Sequence, residues 1–424
     1  LLHVEQDKNL WSPHKVPSCF LLQIAIRLLR AGTELGMQTV GVLVVTILLL
    51  CLGKCKENNI TFVSAGCIMF QFFYLPMLQV GPTAELLELF GDKTSARNLA
   101  QKANVPIIPG SGAVKTLEEA TEFADEAGYP VIIKAAFGGG GRGMRVVRSR
   151  KEMKEAAFGN GTVFLEKYIE DPRHIEVQIL GDGKERLMVD NKLAVVESAP
   201  ARHLPKGTRE AILNDAVRLT SEANYLNAGT VEFLVDKQGN HYFIEVNPRV
   251  QVEHTVTEEV TGLDIVQSQI LIASGKSLEE LGLVQDKIEV NGAAIQCRIT
   301  TEDPKTNFQP DSGILTEYRS ASGNGIRLDD GPGYTGAHIQ PHYDSLLVKV
   351  TAHSKTFEGA AKKLERALRE YRIRGVTTNI GFLLNVLTHP EFVNKSVTTS
   401  FIAQNPDLVN DIGKNQNRGE KMLR

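Results

Sequence analysis
The sequence predicts a mixed α/β and α+β protein, and three observations predict it. Two β-branched runs, Val131-Ile132-Ile133 and Val146-Val147, enclose a loop that contains Gly138, Gly139, Gly140, Gly141 and Gly143. Two further runs, A-G-T-V-E-F-L-V-D and H-Y-F-I-E-V-N, flank Lys237-Gln238-Gly239-Asn240, a hairpin turn signal. Around them lie segments whose apolar residues repeat at helical spacing.

In chain order, the first 92 residues are expected to form an incomplete α/β region. Thr116 to Ala127 predicts a helix: a Thr cap, Glu118 and Glu119 in the first turn, and Gly128 at the end. Lys151 to Ala157 leaves room for only about two turns at 3.6 residues each. Leu204 to Ala223 and Leu263 to Ser274 have helical period, the second ending at Gly275. A last domain opens near Asn291 with a strand, A-A-I-Q-C-R-I-T. It closes with helices over roughly Phe357 to Tyr371 and Asn379 to Leu387.

The run from His241 to His254 carries the most chemistry. On an extended backbone Glu245, Asn247, Arg249, Gln251 and Glu253 would share one face, with Val246, Val250 and Val252 turned to a core. A salt-bridged sheet face is the plainer reading, but such groups are seldom buried unless paired. Glu245 and Asn247 offer hard oxygens suited to Mg²⁺ or Mn²⁺. Pairing across the hairpin would set Glu232 near Glu245, and two carboxylates repel unless a cation lies between them. Arg249 is a fixed cation whose fork suits a small oxyanion such as carbonate or phosphate. Glu253 is a candidate general base. His254 reads first as a satisfied structural histidine, and second as an orienting or proton-handling group.

The glycine loop lacks the G-K-[ST] ending of a P-loop, and it does not match the dinucleotide fingerprint. Its glycines would let backbone N–H groups approach phosphates, and Lys134 would add a point charge. Four consecutive glycines alone read equally well as a mobile hairpin tip. The metal-type ridge downstream tips the reading to phosphate binding.

A chain of 424 residues is long enough for two or three domains. A net charge of −3 without a basic run gives no reason to expect nucleic acid. Five cysteines without paired spacing argue against a disulfide scaffold and for a reducing compartment. The apolar runs Val40 to Leu52 and Cys67 to Leu78 fall short of the roughly 18 residues of a membrane span, so no membrane association is expected. The chain begins at Leu1, so the true N-terminus is expected upstream, and no transit peptide is readable.

Long pieces of the chain also resemble a known family. F-G-D-K-T-S-A-R, V-I-I-K-A-A-F-G-G-G-G-R-G-M-R-V-V, F-L-E-K-Y-I-E-D-P-R-H-I-E-V-Q, G-T-V-E-F-L-V-D and F-I-E-V-N-P-R-V-Q-V-E-H-T-V-T-E resemble the biotin carboxylase domain of biotin-dependent carboxylases, an ATP-grasp fold. The similarity runs from Gly81 onward, with an island at Ile24 to Leu43. Within the family, A-I-Q-C-R-I-T-T-E-D-P-K-T-N-F-Q-P-D-S-G and P-H-Y-D-S-L-L-V-K-V are more similar to pyruvate carboxylases than to acetyl-CoA or propionyl-CoA carboxylases.

The resemblance implies a truncated Rossmann-like region over 1–92 and an ATP-grasp core over 93–276 with a small glycine-loop lid near 105–168. It implies a C-terminal biotin carboxylase domain over 291–404, then a link over 405–424 toward a carboxyltransferase domain absent from this chain. By position, Lys93 and Lys134 would contact ATP phosphates and the glycine loop would close over them. Glu166, Lys167 and Ile169 would frame the adenine, and His174 would contact the ribose side. Glu232, Glu245 and Asn247 would hold the metals. Arg249, Gln251 and Val252 would bind bicarbonate, Glu253 would deprotonate it, and Arg327 would stabilise the biotin enolate. The strand with Cys297 and Arg298 lies near the metal site and dimer face in the family, though a core-supporting role fits equally.

Three segments depart from the family pattern. Gly183 to Ala194 stands where the family carries a longer segment of the type E-R-D-C-S-x-Q-R-R-H-Q-K, so a Gln, a His and a Lys that contact nucleotide and bicarbonate lack counterparts. That loss is expected to remove a strand and part of the floor of the site. Arg148 to Phe158 is too short for two helical passages, and the N-terminal region lacks most of a nucleotide-binding-type domain. Skipped exons plus translated intron would produce such junctions.

The expected function is ATP- and bicarbonate-dependent carboxylation of biotin through carboxyphosphate, the first half-reaction of a pyruvate carboxylase in anaplerosis and gluconeogenesis. The alternative is an impaired fragment that only binds ATP or associates with full-length subunits. Biotin would arrive as a substrate on a carrier domain from elsewhere, and the module would form a homo-oligomer. The implied location is the mitochondrial matrix, with the cytoplasm as the alternative.

Overall fold
The computed structural model describes residues 80–411, apart from 113, 115, 136–143, 156–162, 185, 192–195, 332 and 396. All elements below belong to the unit Gly81–Arg424. The expected region before residue 80, the apolar runs Val40 to Leu52 and Cys67 to Leu78, the glycines Gly138 to Gly143 and most of the 405–424 link lie outside the described residues. Among the described residues no helix is long and apolar enough to cross a membrane.

Two helices lead in, α1 (Ala84–Gly91) and α2 (Lys93–Lys102). Thr83 caps the first and the Asp92 carboxylate caps the second, each accepting from backbone N–H groups that have no partner inside the helix. Next comes α3 (Leu117–Ala127), closed by the predicted signals: Thr116 and Glu119 form a capping box, and Gly128 exits at φ 74°.

A three-stranded antiparallel sheet follows, in the order β2 (Met144–Val147), β1 (Val131–Ala135), β3 (Val163–Lys167). The short helix α4 (Arg150–Glu155) and α3 cover it, burying Ala120, Ala124, Val131, Ile133, Val147, Met153 and Leu165. This small body carries the glycine loop between its first two strands.

The second sheet is antiparallel, in the order β5 (Arg186–Asn191), β4 (Arg173–Asp182), β7 (Leu226–Val235), β8 (His241–Asn247). Alternation sorts its residues by face. Ile175, Val177, Ile179, Val231, Phe233 and Val246 pack with α1, α2 and α5 (Thr208–Glu222). His174, Glu176, Gln178, Thr230, Glu232, Glu245 and Asn247 fall on the opposite face, as the register Glu176↔Glu232↔Glu245 requires. The hairpin predicted at 237–240 joins β7 and β8. The shortened interval 183–194, expected to lack a strand, does supply one: β5 pairs with β4 along Glu176↔Asn191 to Gly181↔Arg186. A strand of six residues satisfies the β4 edge, so the shorter interval closes the sheet on that side.

The chain then turns into α6 (His254–Thr261) and α7 (Ile265–Ala273). A third sheet, in the order β10 (Ile326–Asp330), β11 (Leu346–Ser354), β9 (Ala293–Thr300), β6 (Val196–Ala199), draws one strand from the middle of the chain. Helices α8 (Phe357–Glu370) and α9 (Ile380–Thr388) cover it with Ala360, Leu364, Leu368, Phe382 and Leu383.

Candidate functional site
The polar face of the second sheet is the candidate site. Glu232 is buried and Glu245 is its direct cross-strand partner, as the hairpin predicted. Around Glu232 converge the Asn247 side-chain amide at 2.5 Å and the His174 ring Nε2 at 2.8 Å. Lys93, at the start of α2, reaches Glu245 at 3.3 Å. Lys93, His174, Glu232, Glu245 and Asn247, far apart in sequence, are thus brought together.

The ridge beyond Asn247 takes a different form from the one expected. Strand β8 ends at Asn247, and residues 248–253 form a turn leading into α6. Pro248 has no N–H to continue the ladder. Arg249, Gln251 and Glu253 therefore do not lie on one extended face with Glu245. Nor do Val250 and Val252 enter the core; both are half-buried, and only Val246 is buried. Arg249 is exposed, with one guanidinium N–H at 3.4 Å from the Val250 carbonyl. Gln251 folds back so that its amide oxygen accepts from the Thr230 hydroxyl. Glu253 occupies the position before the first turn of α6 and is almost wholly buried.

Glu253 sits in a network that the sequence reading missed. Its Oε2 accepts from Arg298 at 2.7 Å, and the same guanidinium nitrogen lies 2.7 Å from Glu197. Glu197 also accepts from Gln296 at 3.0 Å. Burial pushes Glu197 up to about 7, although Arg298 pulls the other way. Glu176 is fully buried, and its carboxyl lies against that of Glu253. Burial first, then the carboxylates of Glu253, Glu232 and Glu197, hold its carboxyl well above the usual range. The signal for Glu176 was present in R-H-I-E-V-Q-I, which alternates polar and apolar residues just as the later ridge does.

His254 is tied to its own turn. Its Nδ1 lies 2.6 Å from the Gln251 carbonyl, and burial followed by the Lys349 charge holds the ring below its ordinary value. Lys349 donates to the Val252 carbonyl at 3.1 Å and pairs with Asp329 at 3.2 Å. Asp329 accepts from Arg327 Nε at 3.1 Å, and Arg327 also holds Glu258 of α6 at 2.6 Å. Arg327 is thereby tied to the helix that begins after Glu253.

The adenine-frame candidates sit on β3 and just beyond. Glu166 lies 3.6 Å from Arg97. Lys167 is directed to the carbonyls of Gly128 and Tyr129, at 2.7 and 3.1 Å. Ile169 is half-buried in the crossover between the first two sheets. The Lys134 backbone pairs with Met144 and Phe164, while its side chain lies outside the described residues.

The donor set fits a hard divalent cation. Two carboxylates stand in register on neighbouring strands, with an amide group closing on one of them. Among the described residues no group of three or more His, Cys, Asp or Glu is arranged to hold a metal by itself.

Known proteins resemble this chain in sequence and in fold. The family described as carbamoyl-phosphate synthase L chain, ATP binding domain, matches residues 92–281. The biotin carboxylase C-terminal domain family matches residues 296–404. The chain is 54% identical to pyruvate carboxylase of Pichia angusta over 367 residues, 82% of this chain and 31% of that protein. It is 52% identical to the mitochondrial pyruvate carboxylase of Homo sapiens over 364 residues, 81% and 31% of the two chains. It therefore spans about a third of the length of these relatives. Its fold is similar to the biotin carboxylase subunit of a pyruvate carboxylase, at TM-score 0.69 and 39% identity over 79% of this chain and 78% of that one. It is similar too to the biotin carboxylase domain dimer of Hydrogenobacter thermophilus 2-oxoglutarate carboxylase, solved with MgADP, ADP and bicarbonate. That match has TM-score 0.71 and 39% identity over 79% and 77% of the two chains.

Proposed function
This chain belongs to the biotin carboxylase family, with an ATP-grasp fold, and on that premise we propose that it carboxylates biotin at the expense of ATP, using bicarbonate. The observation that carries this reading is the polar face on which Glu232, Glu245 and Asn247 meet Lys93 and His174. Glu232, Glu245 and Asn247 would hold Mg²⁺ or Mn²⁺, which offsets phosphate charge when bound. The bicarbonate, MgADP and dimer named for the Hydrogenobacter thermophilus relative support the same substrates and a homo-oligomer here.

Bicarbonate is a poor electrophile, and phosphorylating it gives carboxyphosphate, which collapses to CO₂ and phosphate. Exposed Arg249 would bind the oxyanion and Glu253 would take its proton. The Arg298 contact keeps Glu253 fixed in place for that role. Gln251 and the Val252 segment would line the bicarbonate side, and Arg327 would meet the biotin enolate. Lys134 and the glycines Gly138, Gly139, Gly140, Gly141 and Gly143 would hold the phosphates, with Glu166, Lys167 and Ile169 at the adenine and His174 toward the ribose. The division into 93–276, 291–404 and a link at 405–424 belongs to the same proposal. So do the pyruvate carboxylase half-reaction, a separate biotin carrier and, from the label of the mammalian relatives, a mitochondrial location.

A second reading has its own observation. Glu176 is a buried carboxyl crowded by Glu253, Glu232 and Glu197, and it pairs with Asn191 in the interval that lacks the family's basic segment. Such a site favours a chain that binds nucleotide without turning it over. Bicarbonate-dependent ATP cleavage, stimulated by free biotin, separates the two. Stimulation that is lost in Arg249→Ala while ATP binding persists supports catalysis. ATP binding without stimulation in the unsubstituted chain supports the second reading and overturns the first.

A further inference from the structure
The crossover from the glycine-loop sheet to the second sheet occupies residues 168–172, between Lys167 of β3 and Arg173 of β4. Glu166, Lys167 and Ile169, the proposed adenine frame, lie on or beside it. Two sets of contacts hold it. From the small sheet, the Tyr168 N–H donates to the Pro130 carbonyl at 3.0 Å, and Arg148 pairs with Glu170 and lies 5.9 Å over the Tyr168 ring.

The C-terminal segment supplies the second set. Asp171 accepts from the Ser400 hydroxyl at 2.7 Å and from the Gln404 amide at 3.2 Å. Its second oxygen accepts from Lys237, at the tip of the β7–β8 hairpin, at 3.0 Å. One residue on, the Pro172 carbonyl accepts from the Thr399 N–H at 3.0 Å. Asp171 itself is held at φ 45°, a left-handed conformation uncommon outside glycine. Such a conformation persists when the surroundings over-determine it, and here three groups from two distant segments hold the Asp171 carboxylate while Thr399 holds the next carbonyl.

We propose that Asp171 is a positioning residue for the nucleotide: latched by Ser400, Gln404 and Lys237, it sets the crossover on which the adenine frame is built. This rests on the nucleotide site proposed above. The latch also couples that frame to the segment Thr399–Gln404, so a displacement of the C-terminal segment is felt at the adenine end of the site and not at the phosphate end.

The test compares the full chain with Asp171→Ala, Asp171→Asn and Ser400→Ala. Titration calorimetry would measure binding of MgADP and of inorganic triphosphate, and amide exchange would be followed over residues 168–172. In Asp171→Ala the ADP affinity should fall roughly threefold to tenfold, the net scale of one ordinary intramolecular hydrogen bond, because Asp171 acts through the crossover and does not touch the nucleotide. Triphosphate affinity should hold, and exchange over 168–172 should quicken. Ser400→Ala should show a smaller loss of the same kind, and Asp171→Asn should recover part of it by keeping an acceptor for Ser400. Unchanged ADP affinity in both Asp171→Ala and Ser400→Ala overturns the latch, as does equal weakening of ADP and triphosphate. Absence of ADP binding in the unsubstituted chain overturns the nucleotide reading and the latch with it.

Discussion

Raising the pH should destabilise this protein across the range where most proteins are steady, because of the carboxylates buried behind Glu253. Glu197 is wholly buried, and its value moves from 4.5 to about 7 on folding. The folded chain therefore holds that proton more tightly than the unfolded chain. Its contribution is fully present below 4.5 and is lost as pH rises through about 7. At about 1.4 kcal/mol per unit, the loss is roughly 3 kcal/mol. Glu176 is shifted in the same direction and adds to it. His254 is lowered, so it works the other way, favouring the folded chain as pH rises toward 6.5. The lowered carboxyls of Asp311 and Asp329 matter only below their ordinary value of 3.8. Urea midpoints would be measured from about pH 5 to about pH 8 for the full chain and for Glu197→Gln. The substitution also removes a partner of Arg298, which shifts the whole curve, so the slope is the readout. The variant should show a flatter dependence by roughly 3 kcal/mol over that range. Equal slopes in the two proteins would refute the assignment.

Two further outcomes follow from the same geometry. Arg298→Met leaves Glu253 and Glu197 buried without their shared cation, so denaturant unfolding should show a loss of about 3–5 kcal/mol. Thr116→Ala removes the capping box of α3 and should cost about 1 kcal/mol, read as faster amide exchange within Leu117–Ala127.

Much of this was legible in short-range pattern. The α3 helix was marked at both ends by Thr116, Glu119 and Gly128, because capping is a contact between near neighbours. The hairpin at 237–240 set the pairing of Glu232 with Glu245, because a tight turn dictates register. The ridge failed where a single residue decided the path: Pro248 lies one residue beyond Asn247, and from there Gln251 and Glu253 turn inward. Alternation describes a strand only as long as the strand lasts.

By itself, then, the sequence determined the family, the mixed α/β fold, the paired strands and which polar residues share the sheet face. These rest on local periodicity, turn residues and long matching motifs. Only the tertiary structure decided that Arg298 of β9 and Glu197 of β6 stand behind Glu253. It alone showed that Glu176 is buried against Glu253 and that Asp171 meets Ser400 across the molecule. These contacts join residues tens to hundreds of positions apart. Their energies depend on burial and on the company of other charges, neither of which a linear pattern records.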